Sequence, residues 1–160
     1  MAVQPVPEGY NTLAPYLAVD DAAAAIDFYQ RAFGATEVGR MDGPGGKLAH
    51  VDLQIGDSHL MFSDPFPQFA ARSPKELGGT SVSIFMYVDD VDAAFKRAID
   101  AGATPEMEPD DMFWGDRFCS LRDPFGHSWQ IATHVEDVPP EEMAKRAEEF
   151  AAQMAAIAGS

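Results

Sequence analysis

Tyr16-Leu17-Ala18-Val19-Asp20-Asp21 runs into an alanine-rich segment that stops at Gly34-Ala35-Thr36. Phe85-Met86-Tyr87-Val88-Asp89-Asp90 runs into a second such segment that stops at Gly102-Ala103-Thr104. The offset is 69 at the start (88 − 19) and 68 at the stop (102 − 34), so a whole strand–helix–strand unit recurs. Two copies of one small unit imply a pseudo-symmetric sheet with a ligand pocket between or inside the halves. The repeat also pairs pocket residues of one copy with those of the other.

The rest of each copy follows from local chemistry. Asp20 or Asp21 can cap a helix whose Ala22, Ala25, Ile26, Tyr29 and Phe33 share one face, with Gly34 as its stop. Asp89 or Asp90 does the same for Val91, Phe95, Ala98 and Ile99. A strand is expected over 12–19 and another over 36–41, turning at Asp42-Gly43-Pro44-Gly45-Gly46. From 48 to 55 the chain alternates, with Ala49, Val51, Leu53 and Ile55 facing one way and His50, Asp52 and Gln54 the other. Asp123-Pro124-Phe125-Gly126 splits two late strands, so each half reads β-α-β-β-β.

The expected fold is therefore α+β: two tandem βαβββ modules forming a curved mixed sheet around a cavity, plus a C-terminal helix. The expected division is an extended tail (1–10), module 1 (11–64), a connecting loop (65–80), module 2 (81–135) and a helical extension (136–160). In the extension, Pro139-Pro140 opens a helix whose Met143, Ala147, Phe150, Met154 and Ile157 form a narrow apolar seam. The seam is too short for a coiled coil alone. It is expected to pack on its own domain or a sister subunit, with the subunit preferred.

Composition mostly excludes. A net charge of −15 argues against nucleic acid and anionic membranes as partners, since phosphate needs a basic surface. No apolar run approaches the roughly 20 residues of a membrane span, and no secretion signal is evident. The single cysteine, Cys119, excludes an intramolecular disulfide and fits a reducing cytoplasm. As a strand residue without a histidine partner in sequence, it reads as a buried apolar thiol rather than a nucleophile.

The two modules, the Val-Asp-Asp helix starts and Asp123-Pro124-Phe125-Gly126-His127-Ser128-Trp129 together resemble the vicinal oxygen chelate superfamily, which includes glyoxalase I and bleomycin-resistance proteins. Trp114-Gly115-Asp116-Arg117, Gly56-Asp57-Ser58 and Ser63-Asp64 look most like its PhnB-like branch. The resemblance covers residues 11–135 and implies a curved sheet wrapping a cavity. In metal-dependent members, the first and fourth strands of both modules each supply one ligand to a divalent ion that chelates the substrate. Those positions fall here at Ala14, Met61, Ser83 and Gln130, each pair 69 apart (83 − 14; 130 − 61). All four depart from the pattern. Alanine, a thioether and two neutral oxygens do not offset the dehydration of a dication, so no metal and no cofactor are expected.

Other candidates have bland alternatives beside them. His50 and Asp52 share a polar strand face, as a general base with a polar neighbour or as a solvated face. His59 reads as a pocket residue or an edge-strand surface residue, His134 as a rim residue or plain surface, and His127 as a stabiliser of its own turn. Arg117 beside Trp114 offers a planar cation for an anionic ligand or a cation–π pair, against a salt bridge to Asp116 or Asp123. Tyr16, Phe85 and Tyr87 fall in register with Ala14 and Ser83; with Trp114, Met61, Ser83 and Gln130 they compose an aromatic-lined pocket or an ordinary core.

The expected function is a metal-independent, cytoplasmic, homodimeric small-molecule-binding protein. Its ligand residues are Tyr16, His50, Met61, Ser83, Phe85, Tyr87, Trp114, Arg117 and Gln130. The alternative is a glyoxalase-like lyase or isomerase, or a dioxygenase-type enzyme, using a divalent metal or His50 as base. The cavity lies within one chain or between two, since the resembled superfamily has both arrangements.

Overall fold

A computed structural model describes residues 3–159. Met1, Ala2 and Ser160, the ends of the expected tail and extension, lie outside them. The first module contains β1 (Tyr16–Ala18), α1 (Ala22–Phe33), β2 (Thr36–Asp42), β3 (Leu48–Ile55) and β4 (Ser58–Ser63). The second contains β5 (Ser83–Tyr87), α3 (Val91–Ala101), β6 (Thr104–Asp111), β7 (Asp116–Arg122) and β8 (Ser128–His134). A short α2 (Pro74–Leu77) lies between them, and α4 (Pro140–Ala158) follows. The strands form two four-stranded mixed sheets, ordered β1-β4-β3-β2 and β5-β8-β7-β6. In each, the first strand runs parallel to the fourth and the remaining pairs are antiparallel.

The repeat extends to single hydrogen bonds. Asp21 accepts from the Ala24 amide at 2.9 Å and Asp90 from the Ala93 amide at 3.0 Å, capping α1 and α3. A second acceptor reaches each helix start from the end of the fourth strand: Asp64, just past β4, takes the Ala22 amide at 3.0 Å, and Thr133, near the end of β8, takes the Val91 amide at 2.9 Å. The Val19 amide donates to the Ser63 carbonyl and the Val88 amide to the Ala132 carbonyl, at 3.0 and 2.9 Å. At the far end of α1, Gly34 adopts φ 67°, the left-handed conformation that closes a helix without a Cβ penalty.

Each helix covers one face of its own sheet, and the two helices pack on each other, so one continuous core joins the modules. Asp123 is its polar keystone. Its buried carboxylate accepts from Tyr29 Oη (2.6 Å), Trp129 Nε1 (2.9 Å) and the amides of Phe125 and His127 (both 2.9 Å). Burial, then the adjacent negative charge, pushes the Tyr29 hydroxyl well above its ordinary pKa, so it stays a donor. Across the helix interface, Arg97 donates to the Arg31 and Gln30 carbonyls and Arg31 donates to Ala101, each arginine serving the other helix's C-terminal end.

Three expectations change. The strand expected over 12–19 is ordered as strand only at Tyr16–Ala18, because Pro15 lacks an amide to continue the ladder. The loop between the modules carries a single 3-10 turn at Pro67–Phe69 and α2, whose Ser73 cap accepts from the Glu76 amide at 3.3 Å. His127 stabilises more than its own turn: Nε2 donates to the Ala18 carbonyl at 2.8 Å and ties module 2 to β1.

Candidate functional site

The helices cover one face of each sheet and leave the other open, and strand alternation delivers the candidate residues to those open faces. In the first sheet, Leu17, Val51, Leu53, Leu60 and Phe62 point into the core. Tyr16, His50, Asp52, His59 and Met61, alternating with them, therefore point away. Tyr16 Oη lies 2.9 Å from His50 Nδ1. Met61 sits opposite both Tyr16 on β1 and Asp52 on β3.

Asp52 organises this face. Its carboxylate is buried, meets His59 Nδ1 at 2.8 Å and accepts the Tyr10 hydroxyl. The Tyr10 ring stacks on His59 with 3.8 Å between centroids. The hydrogen bond to Asp52 first, and burial second, raises the Tyr10 pKa. His59 is thus not on an edge: β4 lies between β1 and β3. Sequence reasoning missed Tyr10, placed in the featureless tail, because its partner is 42 residues away.

The open face of the second sheet is aromatic. Phe85 lies 5.1 Å from Tyr87 and 6.1 Å from Phe118, and Phe118 lies 6.0 Å from Trp114. Trp114 continues through Phe113 to Phe150 of α4, at 5.2 and 5.0 Å. Beneath the rings, buried Asp116 accepts from Tyr87 Oη (2.9 Å) and Trp114 Nε1 (3.1 Å) and meets His134 Nδ1 (2.7 Å). Burial pushes this carboxyl upward, but hydrogen bonds from His134, Tyr87 and Trp114 hold it below its ordinary pKa. His134, bridging to Asp137 at 2.8 Å as well as to Asp116, is raised by both carboxylates. Gln130 sits opposite Phe85 and Ser120, and Ser83 donates to Ser128 Oγ at 3.0 Å.

Two groups of expected site residues therefore form, Tyr16–His50–Met61 and Phe85–Tyr87–Trp114–Gln130. A groove of about 820 Å³ between β1 and β5 touches both, lined by Tyr16, Ser83 and Phe85 among others. Arg117 belongs to neither group. It shares the core side of β7 with Cys119 and pairs with Asp92 (2.7 and 2.9 Å) and Asp111 (3.2 Å), not with Asp116 or Asp123. Cys119 is fully buried, and burial pushes its thiol up to about 11.

The inherited metal positions do not make a ligand set. Ala14 precedes β1, and the register puts Tyr16 and Phe85, rather than Ala14 and Ser83, opposite Met61 and Gln130. Among the described residues, no three His, Cys, Asp or Glu side chains gather to hold an ion. The donors present at the four positions do not fit a divalent cation.

α4 is rooted on the second module. Gly115 accepts the Val135 and Glu136 amides (2.9 and 3.0 Å) at φ 101°, where a Cβ would meet the Glu136 carbonyl oxygen at 2.2 Å. Arg146 clasps Glu136, Glu142 and the Phe113 carbonyl.

The family model described as the Glyoxalase/Bleomycin resistance protein/Dioxygenase superfamily matches residues 9–131. An uncharacterized protein of Mycobacterium tuberculosis is 48% identical over 134 residues, spanning 82% of this chain and 79% of that one. The crystal structure of TioX from Micromonospora sp. ML1 superposes with a TM-score of 0.64 at 28% identity, over 78% of this chain and 99% of TioX. TnmS3, an antibiotic binding protein from a Streptomyces species, shares the fold at a TM-score of 0.58 and 23% identity, over 84% of this chain and 98% of TnmS3.

Proposed function

We propose that this chain, which belongs to the Glyoxalase/Bleomycin resistance protein/Dioxygenase superfamily, binds a small organic molecule on its aromatic faces and holds no resident metal. The observation that carries the reading is the exposure of rings which a closed core would have buried: Tyr16 at 53%, Phe85 at 44% and Tyr87 at 62%. Exposed aromatics of this kind, flanked by a few convergent polar groups, suit a flat, partly apolar ligand. The polar points are His50 on one face, and Ser83 and Gln130 on the other. Metal independence rests on the donor chemistry of Ala14, Met61, Ser83 and Gln130.

The protein works as a homodimer in the cytoplasm. Each chain presents two open faces and four outer strands, β1, β2, β5 and β6, each with one edge outside the sheet ladders. A second copy placing its first module opposite the second module of its mate encloses the ligand from both sides. The sequence motifs around Trp114 and Ser63 support reading the chain as PhnB-like.

Titrating planar aromatic compounds against Trp114 fluorescence, with the mass in solution measured alongside, tests this. Saturable quenching in a dimer is expected. A monomer that gives no response to any compound overturns the reading. A second reading, an enzyme with His50 as general base, is favoured by the 2.9 Å Tyr16–His50 contact beside buried Asp52. Elemental analysis separates the two. Stoichiometric Zn, Ni, Mn or Fe lost with a substitution on either open face would overturn metal independence and favour the enzyme.

A further inference from the structure

We propose that Arg72 is the anion-recognising residue of this site, so that the ligand carries a carboxylate or a comparable anionic group on its flat apolar body. The proposal rests on the ligand-binding reading above and gives it a chemical class. It starts from a difference among the seven arginines. Arg31, Arg40, Arg97, Arg117, Arg122 and Arg146 each engage Nε together with at least one Nη nitrogen. Arg72 engages Nε alone, donating to Glu76 at 2.9 Å, and neither of its Nη groups meets an acceptor among the described residues.

The position of that free edge is the second observation. Arg72 lines the groove of about 820 Å³ between β1 and β5. It also lines an adjoining hollow of about 480 Å³ over the first module, roofed by Phe66 and Phe69 of the connecting strap. The two spaces share Tyr16, Leu17, Ala18 and Arg72. Among the described residues lining them there is no aspartate or glutamate, and Arg72 is the one lysine or arginine. The chain as a whole has 26 acidic and 11 basic residues. These two adjoining spaces are carboxylate-free on an acidic molecule, whereas two further hollows contain Asp57 and Asp89, or Asp100.

The chemistry follows. The Glu76 contact is a solvent-exposed i,i+4 pair, worth little in stability but able to orient the guanidinium plane. The two Nη groups then offer a planar fork for a carboxylate or phosphate oxygen pair. Tyr16 and Phe69, which line the same hollow, supply flat apolar surface near that fork. A neutral ligand would leave the fork unused, and a cationic one would meet like charge.

Calorimetric titration with 2-naphthoate and with its uncharged amide tests the assignment, using the full chain and the variants Arg72→Gln and Arg72→Lys. The wild type is expected to hold naphthoate roughly tenfold or more tighter than the amide. Arg72→Gln should erase that preference without changing amide binding, and Arg72→Lys should keep part of it, having charge without the fork. A preference that survives in Arg72→Gln, or a wild type that holds both probes equally, overturns the role of Arg72 and leaves ligand binding standing. A wild type that binds neither probe overturns both.

Discussion

The two open faces are built on matching frames, each around a buried aspartate paired with a histidine, and differ in the side chains set about it. The β-ladders align Tyr16 with Phe85, Met61 with Gln130, Asp52 with Ser120 and His50 with Phe118. At the same offset of 69, His59 aligns with Ser128. The first module thus joins His50, Asp52 and His59 to tyrosines, while the second sets the rings of Phe85, Tyr87, Phe118 and Trp114 around buried Asp116 and its partner His134. Duplication conserved what the backbone requires, namely the caps of α1 and α3 and the side-chain acceptors Asp64 and Thr133. It left the outward side chains free to diverge, because nothing in the core depends on them. The hairpins diverge as well: Ile55 stands where the second module has Asp123, and the second turn has one residue more.

The largest test of this comparison is at that hairpin. Asp123→Ala removes one acceptor from four donors and strands the buried Tyr29 hydroxyl and Trp129 indole. A loss of about 3–5 kcal/mol is expected in urea unfolding. Ile55→Val, at the equivalent place, should cost about 1 kcal/mol. Comparable losses at both sites would show that the hairpins carry equal weight after all.

Next comes ligand binding. Phe85→Ala should weaken binding of a planar aromatic compound roughly tenfold, and Tyr16→Phe by less than about threefold, since the latter keeps its ring. The reverse order would move the main contact surface to the first module.

A smaller effect is expected with pH. His134 has its folded pKa raised by Asp137 and Asp116. The stability it contributes is fully present below its unfolded value near 6.5 and fades as pH rises through the higher folded one. Asp116, held low, contributes above its unfolded value near 3.8 and loses that contribution as pH falls through its folded one. Melting temperatures of wild type and His134→Gln should therefore converge as the pH rises above neutrality and differ most between these limits. A constant gap across that range would remove His134 from the balance.

The smallest change is in stability at Tyr16. Its hydroxyl bond to His50 is exposed, so Tyr16→Phe should alter unfolding free energy by no more than about 0.5 kcal/mol. A larger loss would show that the Tyr16–His50 pair holds the first face together.

What could be read early and what could not divide along a physical line. Strand alternation, aspartate caps and glycine stops act over a few residues, so α1, α3, β3 and the tandem βαβββ order were legible directly. The extent of β1 was not, because a three-residue strand is held by its neighbour β4 rather than by its own composition. The partners of charged side chains were less legible still. Arg117 was expected as a ligand residue, or else in a salt bridge to Asp116 or Asp123, and meets Asp92 and Asp111 because β7 turns it toward the start of α3. Arg72 had no signal at all, since an unused guanidinium edge shows only when every other arginine's partners are known.

The amino-acid order by itself determined the duplication and the class of fold. Each of these depends on local periodicity or on residue identity. The tertiary structure alone decided that Tyr10 closes over Asp52 and that His127 reaches Ala18. Such pairings join segments 42 to 109 residues apart. Tyr10 closes on Asp52 of the first module, and His127 reaches Ala18 across the two modules; no single stretch of sequence encodes either pairing.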